Sequence, residues 1–310
     1  MTASDDHEKP PDVTSAETVD AIVEASKRVQ DFPLRREFLQ RRVEAVVVPG
    51  PMGALVKAGD HRALLLFLML LTKASAPPWN AALPAAAWAR ALGIDLPESK
   101  TARSTISKIW LRLERHGLVS RDRRERLADV FLHREDGLGG EYTSAGEVGE
   151  NYFRVPLALW LQGPNDRQRW YQVLSLPELT VLLIGRTLGD GFRLPFESGP
   201  DWYGVSADTI SRGVTGLKDK GMLDVNKRFK KAPLSAVGYT AEHRYTLQEP
   251  FGPIGHPSGS RRAAAPPAKT KAKVKVKAKV QASPTTKAGA KTKTAVPKRK
   301  AKVTIKKVTR

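Results

Sequence analysis

The segment STISK, residues 104–108, returns as DTISR at residues 208–212, an offset of 104 residues. The alignment continues without a gap to HGLV at residues 116–119 and KGML at residues 220–223. Both copies then run into a basic stretch. An offset this long favours a duplicated domain over a solenoid, because the repeats of a solenoid are shorter.

The first copy predicts three helices followed by a two-stranded hairpin. Ile106, Ile109 and Leu113 have the spacing of one buried helix face, with Trp110 beside them. Gly117 is expected to end this helix in the left-handed region. The predicted helices cover 60–74, 84–92 and 101–116, and the predicted strands cover 118–122 and 128–134.

The second copy predicts the same order of elements. Ser206 is expected to cap a helix that ends at Gly221, with Ile210, Val214 and Leu217 on its buried face. Two glycines inside this helix, at 213 and 216, each cost about 1 kcal/mol relative to Ala, which indicates a close approach by another element. The predicted helices cover 176–188 and 206–220, with a short element at 201–204 between them, and the predicted strands cover 223–228 and 243–247 around a long wing.

These residues resemble the winged helix-turn-helix family of bacterial transcription regulators. The resemblance rests on Thr-Ile-Ser-(Lys/Arg), a Leu seven residues after the Ile, Gly-Leu-Val or Gly-Met-Leu, and a basic hairpin. Two such domains in tandem are also similar to plasmid replication initiators, and residues 194–204 look like actinobacterial versions. The resemblance covers about 190 of the 310 residues. It implies a mainly α fold with small β-wings.

The expected organisation is two winged-helix domains and a basic tail. The boundaries are a disordered acidic N-terminus at 1–14, an N-terminal helical arm at 15–58, a first winged-helix domain at 59–138, an inter-domain segment at 139–171, a second winged-helix domain at 172–250 and a disordered Lys/Ala/Pro-rich tail at 257–310.

The resemblance implies that the third helix of each copy enters the major groove of double-stranded DNA. Arg and Lys there suit guanine or phosphate, and Ser and Thr suit phosphate or either base. The basic hairpins suit phosphate or the minor groove. The expected contacts are Lys100, Arg103, Ser104, Ser107, Lys108 and Arg112 on the first helix, Arg121, Arg123, Arg124 and Arg126 on the first wing, Ser206, Thr209, Ser211 and Arg212 on the second helix, and Lys227, Arg228, Lys230 and Lys231 on the second wing.

The net charge of +20 is unevenly distributed. Of 52 Lys and Arg residues, 18 lie within 257–310, where no Asp or Glu occurs, and residues 1–256 therefore hold 34 basic against 32 acidic residues. Flexible lysines neutralise phosphates whatever the sequence, so the tail is expected to add affinity to any duplex. It resembles the tails of linker histones. The tail contacts are Lys271, Lys273, Lys275, Lys277, Lys279, Lys298, Arg299 and Lys300.

Composition and motifs exclude several classes of function. The chain has no cysteine, which excludes disulfides, thiolate metal sites and cysteine nucleophiles. It has no phosphate loop, no dinucleotide-binding glycine motif and no short metal-ligand spacing among its six histidines. Its start lacks the basic and apolar regions of a signal peptide, and its longest apolar run, residues 63–71, is about half a membrane span. We expect a cytoplasmic, nucleoid-associated protein that is not an enzyme and has no cofactor or metal.

Transcription regulation is the expected task, and three alternatives stay open. They are a plasmid or mobile-element replication initiator, a nucleoid-organising or chromosome-segregation protein, and an adaptor whose winged helices bind protein. The first copy is expected to read bases, and the second to hold phosphate or a partner. A homodimer is left open, and any small-molecule effector is unknown. For five aromatic residues, packing in the core or at a junction is preferred over base stacking: Trp110, Trp160, Trp170, Trp202 and Tyr203.

Overall fold

A computed structural model describes residues 12–94, 99–124, 127–146, 150–194 and 196–252. The side chains of 99–102 and 123–124 lie outside this description. All described residues fall within one compact unit. None of the helices in these ranges is both long and apolar enough to span a membrane.

The N-terminal region, predicted as a helical arm, contains strands as well as helices. The first helix begins with a capping box, because the Thr14 hydroxyl accepts from the amide of Glu17 and the Glu17 carboxylate accepts from the amide of Thr14. A tight hairpin follows, with positive φ at Glu44 and Ala45. The elements are α1 (Ser15–Glu24), β1 (Asp31–Arg35), a 3-10 turn (Arg36–Phe38), β2 (Gln40–Val43), β3 (Val46–Pro49) and α2 (Pro51–Lys57).

The first repeated segment follows α2 and contains three helices and a three-stranded antiparallel sheet. Asp60 caps its first helix by accepting from the amide of Ala63. The elements are α3 (His61–Lys73), β4 (Asn80–Ala82), α4 (Ala85–Ala91), α5 (Ser99–Arg115), β5 (Val119–Arg124) and β6 (Leu127–Leu132). The strand order is β4-β6-β5, so the short strand between the first two helices pairs with the last strand of the hairpin.

A connecting segment ties the N-terminal region to the second repeat. It contains β7 (Tyr152–Pro156), α6 (Ala158–Leu161) and α7 (Trp170–Val173). β7 pairs antiparallel with β1, in a register that places Phe32 opposite Val155. Both of these side chains are fully buried, so the pairing of two distant segments forms part of the core.

The second repeated segment has the same order of elements as the first. It contains α8 (Leu176–Leu188), α9 (Gly199–Tyr203), α10 (Ala207–Asp219), β8 (Leu223–Lys231) and β9 (Tyr239–Leu247). A single bridge between Phe192 and Tyr245 replaces the strand pairing of β4 with β6. Helix, short extended segment, short helix, long helix and hairpin therefore occur twice.

Matched positions of the two copies have matched roles. Ile106 and Ile210 are buried at 1% and 0% exposure. The glycines that follow the long helices, Gly117 and Gly221, have φ of +64° and +68°, which is the left-handed conformation expected of a glycine that ends a helix. β5 and β8 both begin two residues after their glycine. The repeat found in the sequence is therefore also a repeat of local structure.

The fold class is mixed α/β with small antiparallel sheets, so the prediction of a mainly α fold was wrong. The strands that were missed are short, and β1 and β4 each pair with a segment far away in sequence. Alternating hydrophobicity is weak in strands of three to five residues, whereas long helices have a clear period. The strands of the second hairpin are also longer than predicted, since they extend into the wing.

The aromatic residues for which packing was preferred over stacking are buried or half-buried in the core. Trp110 packs edge-on against Trp88, with ring centroids 5.5 Å apart. Trp160 is fully buried, and its indole N–H donates to the Thr72 hydroxyl at 3.0 Å. Trp170 and Tyr203 are also buried, and Trp202 is half-buried against the core.

The two glycines inside α10 allow close packing on α8, as expected. A Cβ atom on Gly213 would lie 2.3 Å from the backbone oxygen of Pro177. A Cβ atom on Gly216 would lie 1.9 Å from Oε1 of Glu178. Because the first of these contacts is with backbone, it is relieved only if the two helices move apart.

Replacing Gly213 by Ala is therefore expected to destabilise the protein by about 2 kcal/mol or more. Helix propensity alone would predict the opposite, since Ala favours a helix by about 1 kcal/mol over Gly. The matched control is Thr215→Ala, on the exposed side of α10, which should change stability by less than about 0.5 kcal/mol. Urea unfolding of both variants measures the difference, and a stabilised Gly213→Ala would refute the packing argument.

Candidate nucleic-acid interface

The exposed side of α5 is mostly polar and basic, with one exposed apolar side chain, Leu111, at 42% exposure. Ile106, Ile109 and Leu113 are buried on one side of the helix. The predicted base contacts that the structure leaves exposed are Arg103, Ser104, Ser107 and Lys108. The side chain of Lys100 lies outside the described residues. Because buried and exposed positions follow the helical period, this group of side chains forms one continuous face.

Arg112, also predicted as a base contact, forms an ion pair within the chain. Its Nε and Nη2 both donate to the carboxylate of Asp60, the second at 3.0 Å. Asp60 is the residue that caps α3, so the pair joins α5 to the start of that helix. The Arg112 side chain is 40% exposed. It must share or leave Asp60 before it can reach a base or a phosphate.

The first hairpin is joined to α5 by Arg121. Its Nε and Nη2 donate to the two carboxylate oxygens of Glu114 at 2.8 and 2.7 Å. Its Nη1 donates to the hydroxyl of Ser107 at 3.2 Å. The pair neutralises the acidic residue of α5 nearest to the polar face. Of the other predicted wing contacts, Arg123 and Arg124 lie on β5 with undescribed side chains, and Arg126 lies outside the described residues.

The second helix, α10, presents a weaker positive face. The Ser206 hydroxyl accepts from the amide of Thr209 at 3.2 Å, so both residues serve the start of the helix. Ser211 is exposed, and Arg212 pairs with Asp208 one turn earlier, at 3.0 Å. Both members of that pair are more than half exposed, so the interaction is weak and easily exchanged for a phosphate.

The end of α10 is held to α8 by a charged contact. Lys220 Nζ donates to Glu178 Oε1 at 2.5 Å. Although burial disfavours the ionised carboxylate, the hydrogen bonds from Lys220 and from the amide of Ser175 hold the pKa of Glu178 below its usual value. Lys220 is therefore committed to packing the two helices together.

The second hairpin carries the densest described group of exposed cations. Lys227, Arg228, Lys230 and Lys231 are all exposed on β8. A groove on one side of the hairpin is lined by three basic residues, Lys227, Arg228 and Arg244, together with Asp190, Gly191, Asn226 and Thr246. Arg244 donates to the Gly191 carbonyl at 3.0 Å and pairs with Glu242.

Arg244 was missed by the sequence reasoning, although one signal was available. It lies opposite Asn226 in the register of β8 and β9. Asn226 is two residues from the predicted contact Arg228 on the same strand. A prediction of strand pairing through the wing would have placed Arg244 on the same face as Arg228.

A second basic groove involves the N-terminal region, for which the sequence suggested no role. Arg41 and Lys57 lie along it with Arg115 and His116 from the end of α5. Gly204, just before α10, also lines this groove, with Asp136 as its acidic member. The N-terminal region thus adds positive charge near the end of α5 and the start of α10.

Within the described ranges, no group of three or more His, Asp or Glu side chains is placed to hold a metal ion. The predicted tail contacts, from Lys271 to Lys300, lie outside the described residues.

Comparisons of the chain with protein-family models, with curated proteins and with solved structures found no match.

Proposed function

We propose that the chain is a double-stranded DNA-binding protein built from two winged helix-turn-helix units. The observation that carries the proposal is the repeated order of helix, extended segment, short helix, long helix and hairpin. In each copy the long helix buries most of its apolar side chains and turns a mostly polar side outward, beside a basic hairpin. A helix of this kind fits the major groove, and the hairpin then reaches the backbone or the neighbouring groove.

The two units divide the task. α5 carries Arg103, Ser107 and Lys108 on one exposed face and reads base edges. α10 has a smaller positive face, and its hairpin supplies most of the nearby charge. The second unit therefore holds phosphate and orients the first, since phosphate contacts position a protein without specifying sequence.

The physiological task that follows is regulation of transcription. A reader of base edges with a second anchoring unit selects particular duplex sites, and the basic tail raises its affinity for all duplexes. Lys lacks the planar fork of Arg, so the tail adds affinity without selecting sequence. This assigns recognition to the folded part and retention on DNA to the tail.

One observation favours a second candidate, a protein-binding adaptor. Two of the predicted contact arginines, Arg112 and Arg121, are each held by two hydrogen bonds to a carboxylate. On an adaptor these pairs would be permanent parts of the fold, and the exposed face of α5 would bind an acidic protein surface.

Binding to defined duplexes separates the two candidates. Arg103→Ala in the full chain is expected to lower the affinity for duplexes that the protein selects about tenfold, since a good arginine–guanine pair is worth about 1–3 kcal/mol. The affinity for unrelated duplexes should fall less. The matched control is Arg167→Ala, an exposed arginine outside both repeats, which should change neither affinity. Fluorescence anisotropy measures both, and an unchanged Arg103→Ala protein would favour the adaptor.

A further inference from the structure

The β8–β9 hairpin extends well beyond the part of the protein that it helps to bury. Leu223, Tyr245 and Leu247, at its base, are 2% to 6% exposed. From Lys227 to Lys231 on one strand, and from Tyr239 to Ala241 on the other, every residue is exposed. The strands remain paired along this whole length. The outer half of the hairpin is therefore a two-stranded ribbon held by its backbone hydrogen bonds.

The ribbon carries the two exposed aromatic side chains of the chain. Every Phe, Trp and Tyr lies within the described ranges, and only Phe229 and Tyr239 are exposed. Their exposed fractions are 64% and 48%, and their rings meet edge-on with centroids 5.3 Å apart. Two more exposed apolar side chains, Leu234 and Val237, lie in the loop at the tip. Every other aromatic residue of this protein is buried or half-buried, so this apolar tip is a local exception.

The alternation of side chains places the rings on the inward-facing side of the hairpin. Leu223 is buried at the base, and Phe229 lies six residues further along the same strand, on the same face. Tyr239 lies opposite Lys231, which is also on that face. The face of the hairpin that packs in the core at its base therefore carries two solvent-exposed rings at its outer end.

The charge around the rings has one sign. Between Val225 and Ala241 there are four basic residues and no Asp or Glu. Lys227 and Lys231 flank Phe229 on its own face, and Lys227 Nζ lies 5.4 Å from the centre of the Phe229 ring. Arg228 and Lys230 lie on the opposite face. An apolar tip framed by cations on both faces complements a surface that is anionic outside and apolar within.

We propose that Phe229 and Tyr239 act as a wedge that enters the minor groove of duplex DNA, unstacks one base step and bends the duplex. The proposal rests on the proposed function, because α10 must occupy the major groove for its own hairpin to reach the neighbouring minor groove. Proteins that bend DNA in this way insert apolar side chains between base pairs while basic residues hold the phosphates on either side. The preferred site is a pyrimidine–purine step such as TA, where unstacking costs least.

The experiment uses the full chain and a duplex of about 30 base pairs with a central TA step between A·T pairs. One form of the duplex carries a donor and an acceptor dye at its two ends, so that bending raises energy transfer. A second form carries 2-aminopurine at the central step, so that unstacking raises its fluorescence. The test variant is Phe229→Ala/Tyr239→Ala. The control, Arg228→Ala/Lys230→Ala, removes charge from the other face and keeps both rings, and thermal unfolding confirms that both variants are folded.

The native chain is expected to raise both signals. The ring variant should bind about tenfold more weakly, with the same dependence of affinity on salt, and should raise neither signal at saturation. The charge variant should lose part of the salt dependence and still raise both signals at saturation.

Three other outcomes have distinct meanings. Duplex binding by the native chain without a rise in either signal overturns the wedge and leaves the proposed function in place. A native chain that does not bind the duplex at all overturns the proposed function, and the wedge with it. If the native chain binds a single strand of the same sequence more tightly than the duplex, and the ring variant does not, the wedge is overturned and the two rings stack on unpaired bases instead.

Discussion

Replacing Glu135 by Ala is expected to lower the free energy of unfolding by about 3–5 kcal/mol, because it leaves a buried arginine without its main partner. Arg35 Nη1 donates to Glu135 Oε2 at 2.7 Å, and the two side chains are 1% and 0% exposed. Burial disfavours the charge on Arg35, but Glu135 and Glu150 outweigh that cost and raise its pKa above the usual value. A loss of this size is a large part of the 5–15 kcal/mol that stabilises a typical domain.

A matched control for Glu135→Ala removes a second ion pair of β1, the strand that carries Arg35. Arg154→Ala removes the ion pair of Arg154 with Asp31, which joins β7 to β1 with Arg154 43% exposed. Exposed pairs are worth at most about 1 kcal/mol. Urea unfolding followed by circular dichroism compares the two variants. If Glu135→Ala lowers the free energy of unfolding no more than Arg154→Ala does, the buried ion pair does not hold β1 against the segment that follows β6.

Deleting residues 257–310 is expected to weaken duplex binding by about two to three orders of magnitude at about 50 mM salt. The deletion removes 18 of the 52 basic residues and no acidic residue. Each phosphate neutralised releases counterions, so the logarithm of affinity should also depend less steeply on the logarithm of salt concentration. The preference among duplex sequences should be unchanged, since the contacts proposed for the tail are with phosphate, which carries no sequence information.

The control for the tail deletion is a full chain in which residues 257–310 are shuffled. This variant keeps the charge and composition of the tail and should bind as the native chain does. Titrations at several salt concentrations measure affinity and slope together. A truncated protein that kept the full salt dependence would contradict the role assigned to the tail.

The local parts of the fold could be predicted because their signals lie within short segments. Apolar residues at helical spacing predict α5 and α10, and Gly117 and Gly221 predict where these helices end. The glycines of α10 predict a close approach by another element, and the structure shows that this element is α8. In contrast, the pairing of β1 with β7 joins segments more than a hundred residues apart, and no local pattern contains it.

The candidate site was predictable in outline but not in its contacts. The sequence marks Arg112 as a basic residue on the exposed side of a helix, but its contact with Asp60 depends on how α3 lies against α5. The exposure of Phe229 depends on how far the hairpin extends past the helices. The sequence of the predicted wing therefore contains no signal that separates an exposed Phe from a buried one. Side-chain partners of this kind follow from tertiary packing.

The most direct test of the central claim is a selection of genomic DNA fragments at about 0.15 M salt, with the full chain and with residues 1–256 side by side. The account predicts that both proteins enrich the same sequence motif, because the folded repeats read the bases and the tail adds affinity only. If residues 1–256 enrich nothing while the full chain binds all fragments alike, the repeats do not read sequence and the central claim is contradicted.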